Sequence, residues 1–235
     1  MLVTLAWISI VVALICSAWI VLDLARHPQS MAIMNVVWPV SALYFGVAGL
    51  WAYYRVGRKK TQPETSAMDG QEAGMPGHEE RKAPRREPTT WQVAVGTSHC
   101  GAGCMLADLI CDFAIGTAGI TLLGSALWAE YAIDFAAAWA VGIVFQYFAI
   151  QPMRHLRAGE ALLAAIQADT LSIAAFQVGM YAWMAVTFFW LFPHPHLTPF
   201  DPRYWLMMQI AMIFGFATSF PVNRRLIRAG LKEAM

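Results

Sequence analysis

The segment MLVTLAWISIVVALICSAWIVL, residues 1–22, contains no charged side chain. Because about 20 apolar residues in a helix span a hydrocarbon layer about 30 Å thick, this segment predicts a transmembrane helix. Five later stretches are similarly long and apolar, and they cover residues 27–54, 100–127, 135–153, 161–192 and 204–223. The sequence therefore predicts an all-α integral membrane bundle of about six transmembrane helices.

The composition argues against a soluble globular protein. Hydrophobic residues make up 58% of the chain and charged residues only 13%, whereas soluble domains carry about 25% charged residues. Thirteen of the 31 charged side chains lie within residues 56–90, so the rest of the chain has too few for a solvated surface. The net charge of +1 gives no basic footprint for nucleic acid.

Residues 56–90 are rich in Pro, Gly, Ser and charged side chains of both signs. Such a segment cannot bury enough apolar surface to fold alone, so we predict a disordered, charged cytoplasmic linker. This linker divides the chain into a two-helix N-terminal membrane hairpin, residues 1–55, and a four-helix membrane domain, residues 91–235.

The positions of Lys and Arg indicate the orientation of the chain. With the N-terminus in the cytoplasm, 14 of the 16 Lys and Arg residues lie on the cytoplasmic side, and only Arg26 and Arg203 lie outside. Cytoplasmic loops of membrane proteins carry such an excess, so we predict a multi-pass protein of the plasma membrane with both termini cytoplasmic. At the outer end of the fourth span, Glu130 and Asp134 predict a solvated rim.

The stretch TSHCGAGCMLAD, residues 97–108, begins the predicted third span, and Thr97 or Ser98 is the predicted N-cap. At 100° per residue, a single helical stripe within about 80° of Cys100 contains three further side chains with chemical function. They are Cys104, Asp108 and Cys111. His99 lies beside this stripe, where its ring can reach over the predicted helix end.

Imidazole, thiolate and carboxylate groups together suit a thiophilic ion such as Cu(I) or Zn(II). An aspartate in the membrane interior costs several kcal/mol unless it is paired or hydrated, so Asp108 is expected to face protein or water. The first hypothesis is a protein that binds or transports such a metal ion. Its predicted ligands are His99, Cys100, Cys104, Asp108 and Cys111.

Three alternatives stay open. A thiol redox enzyme or sensor would use Cys100 and Cys104, because the N-terminus of a helix favours thiolate. A non-catalytic scaffold or assembly factor would use the same cysteines and the neighbouring glycines for packing. The last alternative is a proton-coupled transporter of an organic solute. The sequence has no Walker A loop, zinc-protease motif or nucleophile elbow, so an enzyme is the less favoured class.

A second carboxylate, Asp169, is predicted at a depth in the membrane similar to that of Asp108. Two nearby acids share a proton, so these residues suit a proton-coupling site or a supporting position around a metal. Asp112 and Gln177 are their predicted neighbours. The alternative is that each carboxylate bonds to a Ser, Thr or backbone group and only holds the bundle together.

The residues SHCGAGC at 98–104, followed by Asp108, by Pro221 and Asn223 and by a basic tail, resemble a bacterial polytopic membrane protein family of unknown function. The resemblance covers roughly residues 91–235. It implies a location in the bacterial inner membrane, and it suggests company with copper proteins, which favours copper over zinc. The expected partners are the lipid bilayer, a metal ion and either a second copy of the chain or another membrane protein.

Overall fold

The computed structural model describes residues 1–58, 87–154 and 157–232. Over these ranges the chain is helical, as the sequence predicts. The helices are α1 Leu2–Arg26, α2 Met34–Phe45, α3 Val47–Ala52, α4 Thr90–Ala118, α5 Ala126–Arg154, α6 Ala158–Val186 and α7 Pro202–Ala229. A π-helical turn follows α3 at Tyr53–Gly57, and another follows α6 at Thr187–Leu191. The predicted linker falls largely on residues 59–86, outside the described residues.

Five of these helices are long and apolar enough to cross a membrane: α1, α4, α5, α6 and α7. The protein is therefore a multi-pass membrane protein. The second predicted span, residues 27–54, is instead broken between α2 and α3 at Gly46, whose φ of +55° is readily adopted only by glycine. One turn before the break, the carbonyl of Leu43 accepts a hydrogen bond of 2.8 Å from the amide of Gln209 on α7.

Helix α4 begins ten residues before Cys100, and the prediction that Thr97 or Ser98 caps it is wrong. A capping box joins Thr89 and Gln92, with the Gln92 N–H donating to the Thr89 hydroxyl at 3.3 Å. Thr97 is interior, and its hydroxyl donates to the Val93 carbonyl. The helix dipole acts mainly within the first helical turn, and Cys100 lies well beyond that turn. The argument that the helix N-terminus activates the Cys100 thiol is therefore lost.

The last four helices form an antiparallel bundle in which α4 contacts α5 and α7, and α6 contacts α5 and α7. We call the end of the bundle with Thr90, Ala158 and Gly230 the linker end. The opposite end, with Gly119 and Pro202, is called the loop end. Helix α1 packs on α2 and α7, and α2 packs on α4, so the N-terminal helices cover one side of the bundle.

Glycines allow the bundle helices to approach closely, as is common in membranes. A β-carbon at Gly103 would lie 3.4 Å from Gly142 on α5. At Gly179 on α6 it would lie 2.6 Å from the Phe214 carbonyl oxygen of α7. At Gly101 it would lie 2.7 Å from the hydroxyl of Tyr44 on α2. These contacts set the distances between the helices that carry the polar interior.

Candidate functional site

Four buried side chains meet near the linker end, and we call them the Cys100 cluster: Cys100, Asp169, Ser172 and Lys232. The Cys100 thiol donates to Asp169 Oδ1 at 3.2 Å and lies 2.9 Å from the Ser172 hydroxyl. The Lys232 ammonium donates to Asp169 Oδ1 at 2.5 Å and to Cys100 Sγ at 3.2 Å. Each of the four side chains is at most 2% exposed. The cluster is a buried ion pair in direct contact with a thiol.

Three elements bring the cluster together. Cys100 lies on α4, while Asp169 and Ser172 lie one turn apart on α6. Lys232 follows α7, which ends at Gly230 with a φ of +71°. The N–H groups of Leu231 and Lys232 both donate back to the Leu226 carbonyl, as in a Schellman-type helix end. This reversal turns the lysine back towards α6 and the thiol.

Lys232 lies beyond the membrane-spanning part of α7. Burial lowers the pKa of Lys232, but the charge of Asp169 and the hydrogen bonds to Asp169 and Cys100 more than offset this, so the pKa lies above its ordinary value. The ammonium form is therefore favoured at neutral pH. The cluster then already contains one cation and one anion.

A second layer of hydrogen bonds links the cluster to α7. The Ser219 hydroxyl donates to the Ser172 carbonyl at 2.9 Å, and the two serine hydroxyls lie 3.3 Å apart. The Asn223 amide donates to the Ser219 hydroxyl at 2.9 Å. These bonds fix Ser172, and through it they fix the position of the Cys100 thiol.

Replacing Lys232 by Met should leave Asp169 buried without its counter-charge and lower the free energy of unfolding by about 3–5 kcal/mol. Asp169→Asn should have a loss of similar size, because the ammonium is then unpaired. The double variant Lys232→Met/Asp169→Asn should be more stable than the sum of the two single losses implies. Thermal unfolding in detergent measures all three, and strictly additive losses would contradict a direct pair.

A row of buried polar side chains continues from the Cys100 cluster towards the loop end. Cys104, one turn after Cys100, is fully buried and lies between Asp169 and Asp108. Asp108 lies near Asp112 and Gln177. Asp108 and Gln177 are at most 1% exposed, yet their polar side-chain atoms have no hydrogen-bond partner among the described residues. An unpaired polar group in an apolar interior is costly and points to a functional site.

Asp112 faces a further group of acids at the loop end. Asp134, on α5, lies near enough to Asp112 for one shared proton to join the two carboxyl groups. Glu130, one turn away, and Tyr204 on α7 lie beside the same pair. We call Asp108, Asp112, Asp134 and Glu130 the acid file. The prediction of a solvated rim is wrong for Asp134, which is 3% exposed because α4 and α7 cover it.

Two tyrosines lock the helices around the acid file. The Tyr131 hydroxyl donates to the Tyr181 carbonyl at 2.6 Å, and the Tyr181 hydroxyl donates to the Tyr131 carbonyl at 2.9 Å. Their rings stack with centroids 4.1 Å apart. This reciprocal pair holds α5 against α6, so that Asp134 and Gln177 stay on the inside of the bundle.

The predicted metal ligands do not meet at one point. The His99 ring packs against Phe145 with centroids 5.7 Å apart, and neither ring nitrogen bonds to a described residue. Cys111 is half-buried near Asp134, whereas Cys100 lies in the Cys100 cluster. Within residues 1–58, 87–154 and 157–232, no three His, Cys, Asp or Glu side chains are placed to hold one metal ion. The metal site stays a prediction.

The predicted partnership between Asp108 and Asp169 is also revised. Asp169 lies at the level of Cys100, which is two helical turns, or about 12 Å, from Asp108. The reason is the early start of α4, which places Cys100 ten residues after Thr90 while Asp169 lies eleven residues after Ala158, so the two reach nearly the same depth. Asp108 instead has Asp112 and Gln177 as neighbours.

Sequence reasoning missed Lys232, Ser172 and Ser219. The signal for Ser172 is its position one turn after Asp169, and Ser219 stands one turn before Asn223. Lys232 belongs to a basic segment, so its sequence context indicates a membrane-interface anchor rather than a buried partner.

The fold and the site define a multi-pass membrane protein with several polar and acidic side chains buried inside its helical bundle. The family model of a domain of unknown function, DUF4396, matches residues 90–232, and the chain belongs to this family. The match extends from the first residue of α4 to Lys232, so it includes both the Cys100 cluster and the acid file. Membership in an uncharacterised family is thus confirmed, while the SHCGAGC motif as its mark stays a prediction. No curated protein and no solved structure matches the chain.

Proposed function

We propose that the four-helix domain transfers protons through the membrane and couples this transfer to the movement of a second species. The observation that carries the proposal is the pair Asp108 and Asp112. Both are fully buried, and their polar neighbours are Gln177, Tyr204 and the further acids Asp134 and Glu130, with no cation among them. Groups of this kind inside membrane proteins commonly form proton relays.

The neutral form of these acids is favoured for a physical reason. A lone carboxylate in an apolar interior loses its hydration without compensation, and two adjacent carboxylates also repel each other. A proton that enters the file is therefore held, and it can move between neighbouring carboxyl groups. Asp112 and Asp134 are close enough for such an exchange.

The Cys100 cluster forms the linker end of the proposed path. At this end Asp169 is held in a buried ion pair with Lys232. Lys232 lies in a short segment beyond α7, so its side chain can withdraw without a movement of the helices. The lysine thus acts as a built-in counter-ion that alternates with the proton.

The proposed topology follows the distribution of Lys and Arg. We propose that α2, α3 and the π-helical turn together make the second crossing, which gives six spans. The linker end then faces the cytoplasm of a bacterial inner membrane, and the loop end faces outwards. Arg203, near the start of α7, is paired with Asp201, and this pairing reduces the positive charge on the outer side. The outer charge then agrees with the positive-inside rule.

Transport of copper or zinc is the second candidate, and the unpartnered His99 ring beside Cys100 supports it. Against it, the Lys232 ammonium occupies the position that a cation would take beside the thiol and Asp169. Metal binding by Cys100 and Cys104 would require this lysine to leave. The redox hypothesis rested mainly on a Cys100 thiol at the N-terminus of a helix. Because α4 begins ten residues before Cys100, this support is absent.

The proposal is tested by a pH step on purified protein in liposomes adsorbed to a solid-supported membrane. Protonation of buried acids should produce a transient charge displacement that exceeds the signal from empty liposomes, even without a transported substrate. A signal equal to that of empty liposomes would contradict the proposal. Near-stoichiometric copper or zinc in the wild type, lost in Cys100→Ser/Cys104→Ser, would favour the metal hypothesis instead.

A further inference from the structure

A cavity of about 480 Å³ opens at the loop end, between the ends of α4, α5 and α6 and the segment that precedes α7. This volume lies within the usual range for small-molecule sites. Its wall is mostly apolar, with aromatic rings from Phe188, Phe200 and Tyr204. Glu130 contributes a carboxyl group, and no lining residue is a Lys or Arg.

A second polar group also points to a ligand in this cavity. Thr187 lines the cavity and is 3% exposed. Its hydroxyl oxygen has no hydrogen-bond partner among the residues that the structure describes. The π-helical turn that begins at Thr187 places this side chain on the wall. A buried hydroxyl without a partner is costly, and a polar ligand in the cavity would satisfy it.

The cavity adjoins the acid file, because three residues line both. Glu130, Met184 and Tyr204 line the cavity and also line a small space beside Asp134 and Tyr181. A positive charge held at Glu130 would therefore lie next to the carboxyl groups of Asp134 and Asp112. Such a charge lowers the free energy of the ionised acids and favours release of a proton.

We infer that this cavity binds an organic monocation with an apolar or aromatic body. Its ammonium group lies at Glu130 and its apolar part lies against the aromatic rings, an arrangement that charge attraction and apolar contact favour. The inference deepens and rests on the proposed function, since it names the second species as a cation that exchanges with protons. Other titratable groups around the Glu130 carboxyl are His196, whose ring lines the cavity and stacks on Phe188, and the acids Asp134 and Asp112.

Calorimetry on the protein in lipid nanodiscs tests this inference with benzyltrimethylammonium as the probe and neopentylbenzene as its uncharged isostere. We expect the cation to bind in preference to the isostere and Glu130→Gln to weaken binding by about tenfold or more. The control Glu160→Gln changes an exposed carboxylate at the linker end and should leave binding unchanged. Thr187→Val gives a second variant, with a smaller expected loss.

Equal binding of the cation and the isostere, or equal binding by wild type and Glu130→Gln, would overturn the inference. Proton release, measured in buffers of different ionisation enthalpy, separates it from the proposed function. Cation binding at Glu130 without proton release would support the binding site but contradict the exchange of the cation for protons. A pH-step signal without any cation binding would support the proton path and overturn the organic cation as its partner.

Discussion

Asp108→Asn should slow the charge displacement that follows a pH step on the order of a hundredfold, the lower range of what a positioned proton-transfer group contributes to a rate. Asp108 is the fully buried carboxyl group between Cys104 and Asp112. Asparagine has nearly the same shape but does not exchange a proton at accessible pH. The substitution therefore interrupts the proposed path at one position while it preserves the packing of α4 against α6.

Two measurements keep this result interpretable. The matched control Glu160→Gln, on the exposed first turn of α6, should leave the displaced charge unchanged. The unfolding temperature of Asp108→Asn should equal or exceed that of the wild type, because no hydrogen bond to a described residue is broken. A normal charge displacement in folded Asp108→Asn would refute the role of this acid in proton transfer.

Gly179→Ala should lower the free energy of unfolding by about 3 kcal/mol, the upper range for a residue that overfills a packed interior. The new β-carbon would lie 2.6 Å from the Phe214 carbonyl oxygen and in contact with Thr218. The carbonyl belongs to the backbone of α7 and cannot rotate away, so α6 and α7 would have to separate. Thermal unfolding in detergent measures this loss.

The same substitution at Gly96 provides the control. Gly96 is also inside a helix, but among the residues that the structure describes no atom outside its own helical surroundings lies within 4 Å of its β-carbon position. Gly96→Ala should therefore leave the protein unchanged or stabilise it by about 0.4–1 kcal/mol through reduced backbone freedom. Equal losses at both positions would mean that the contact between α6 and α7 does not depend on Gly179.

The sequence was sufficient to predict the class of fold, because long apolar stretches leave few alternatives to membrane helices. The number of continuous spans was harder to predict from the sequence. It depends on residues 27–54, where a positive φ at Gly46 divides the segment. Apolar composition is the same on both sides of this glycine, so hydropathy carries no signal of the break.

The stripe of Cys100, Cys104, Asp108 and Cys111 was visible in the sequence, since helical spacing alone aligns these residues. Its depth was misjudged because Thr, Gln, Ser and His in residues 90–99 resemble the polar end of a span. In the structure several of these residues are buried inside α4, including Thr97 and His99. The true N-cap, Thr89, lies eight residues before Thr97, and this shift is why Asp169 was matched with Asp108 instead of Cys100.

The role of Lys232 could not be predicted, because it depends on where the chain turns after α7. A lysine in a basic segment has the same local sequence whether it contacts lipid headgroups or a buried carboxylate. Only the reversal at Gly230 brings it to Asp169. Asp134 was misjudged for a related reason, since its burial results from α4 and α7, which are distant in sequence.

The pair of Lys232 and Asp169 also has an electrical consequence. While both groups are ionised, their charges cancel, and a voltage across the membrane exerts almost no net force on them. Withdrawal of the ammonium, or arrival of a proton on the carboxylate, leaves one elementary charge uncompensated. A charge that crosses the whole field gains or loses about 2.3 kcal/mol per 100 mV. Opening this pair would therefore make the occupancy of the linker end depend on membrane voltage as well as on proton concentration.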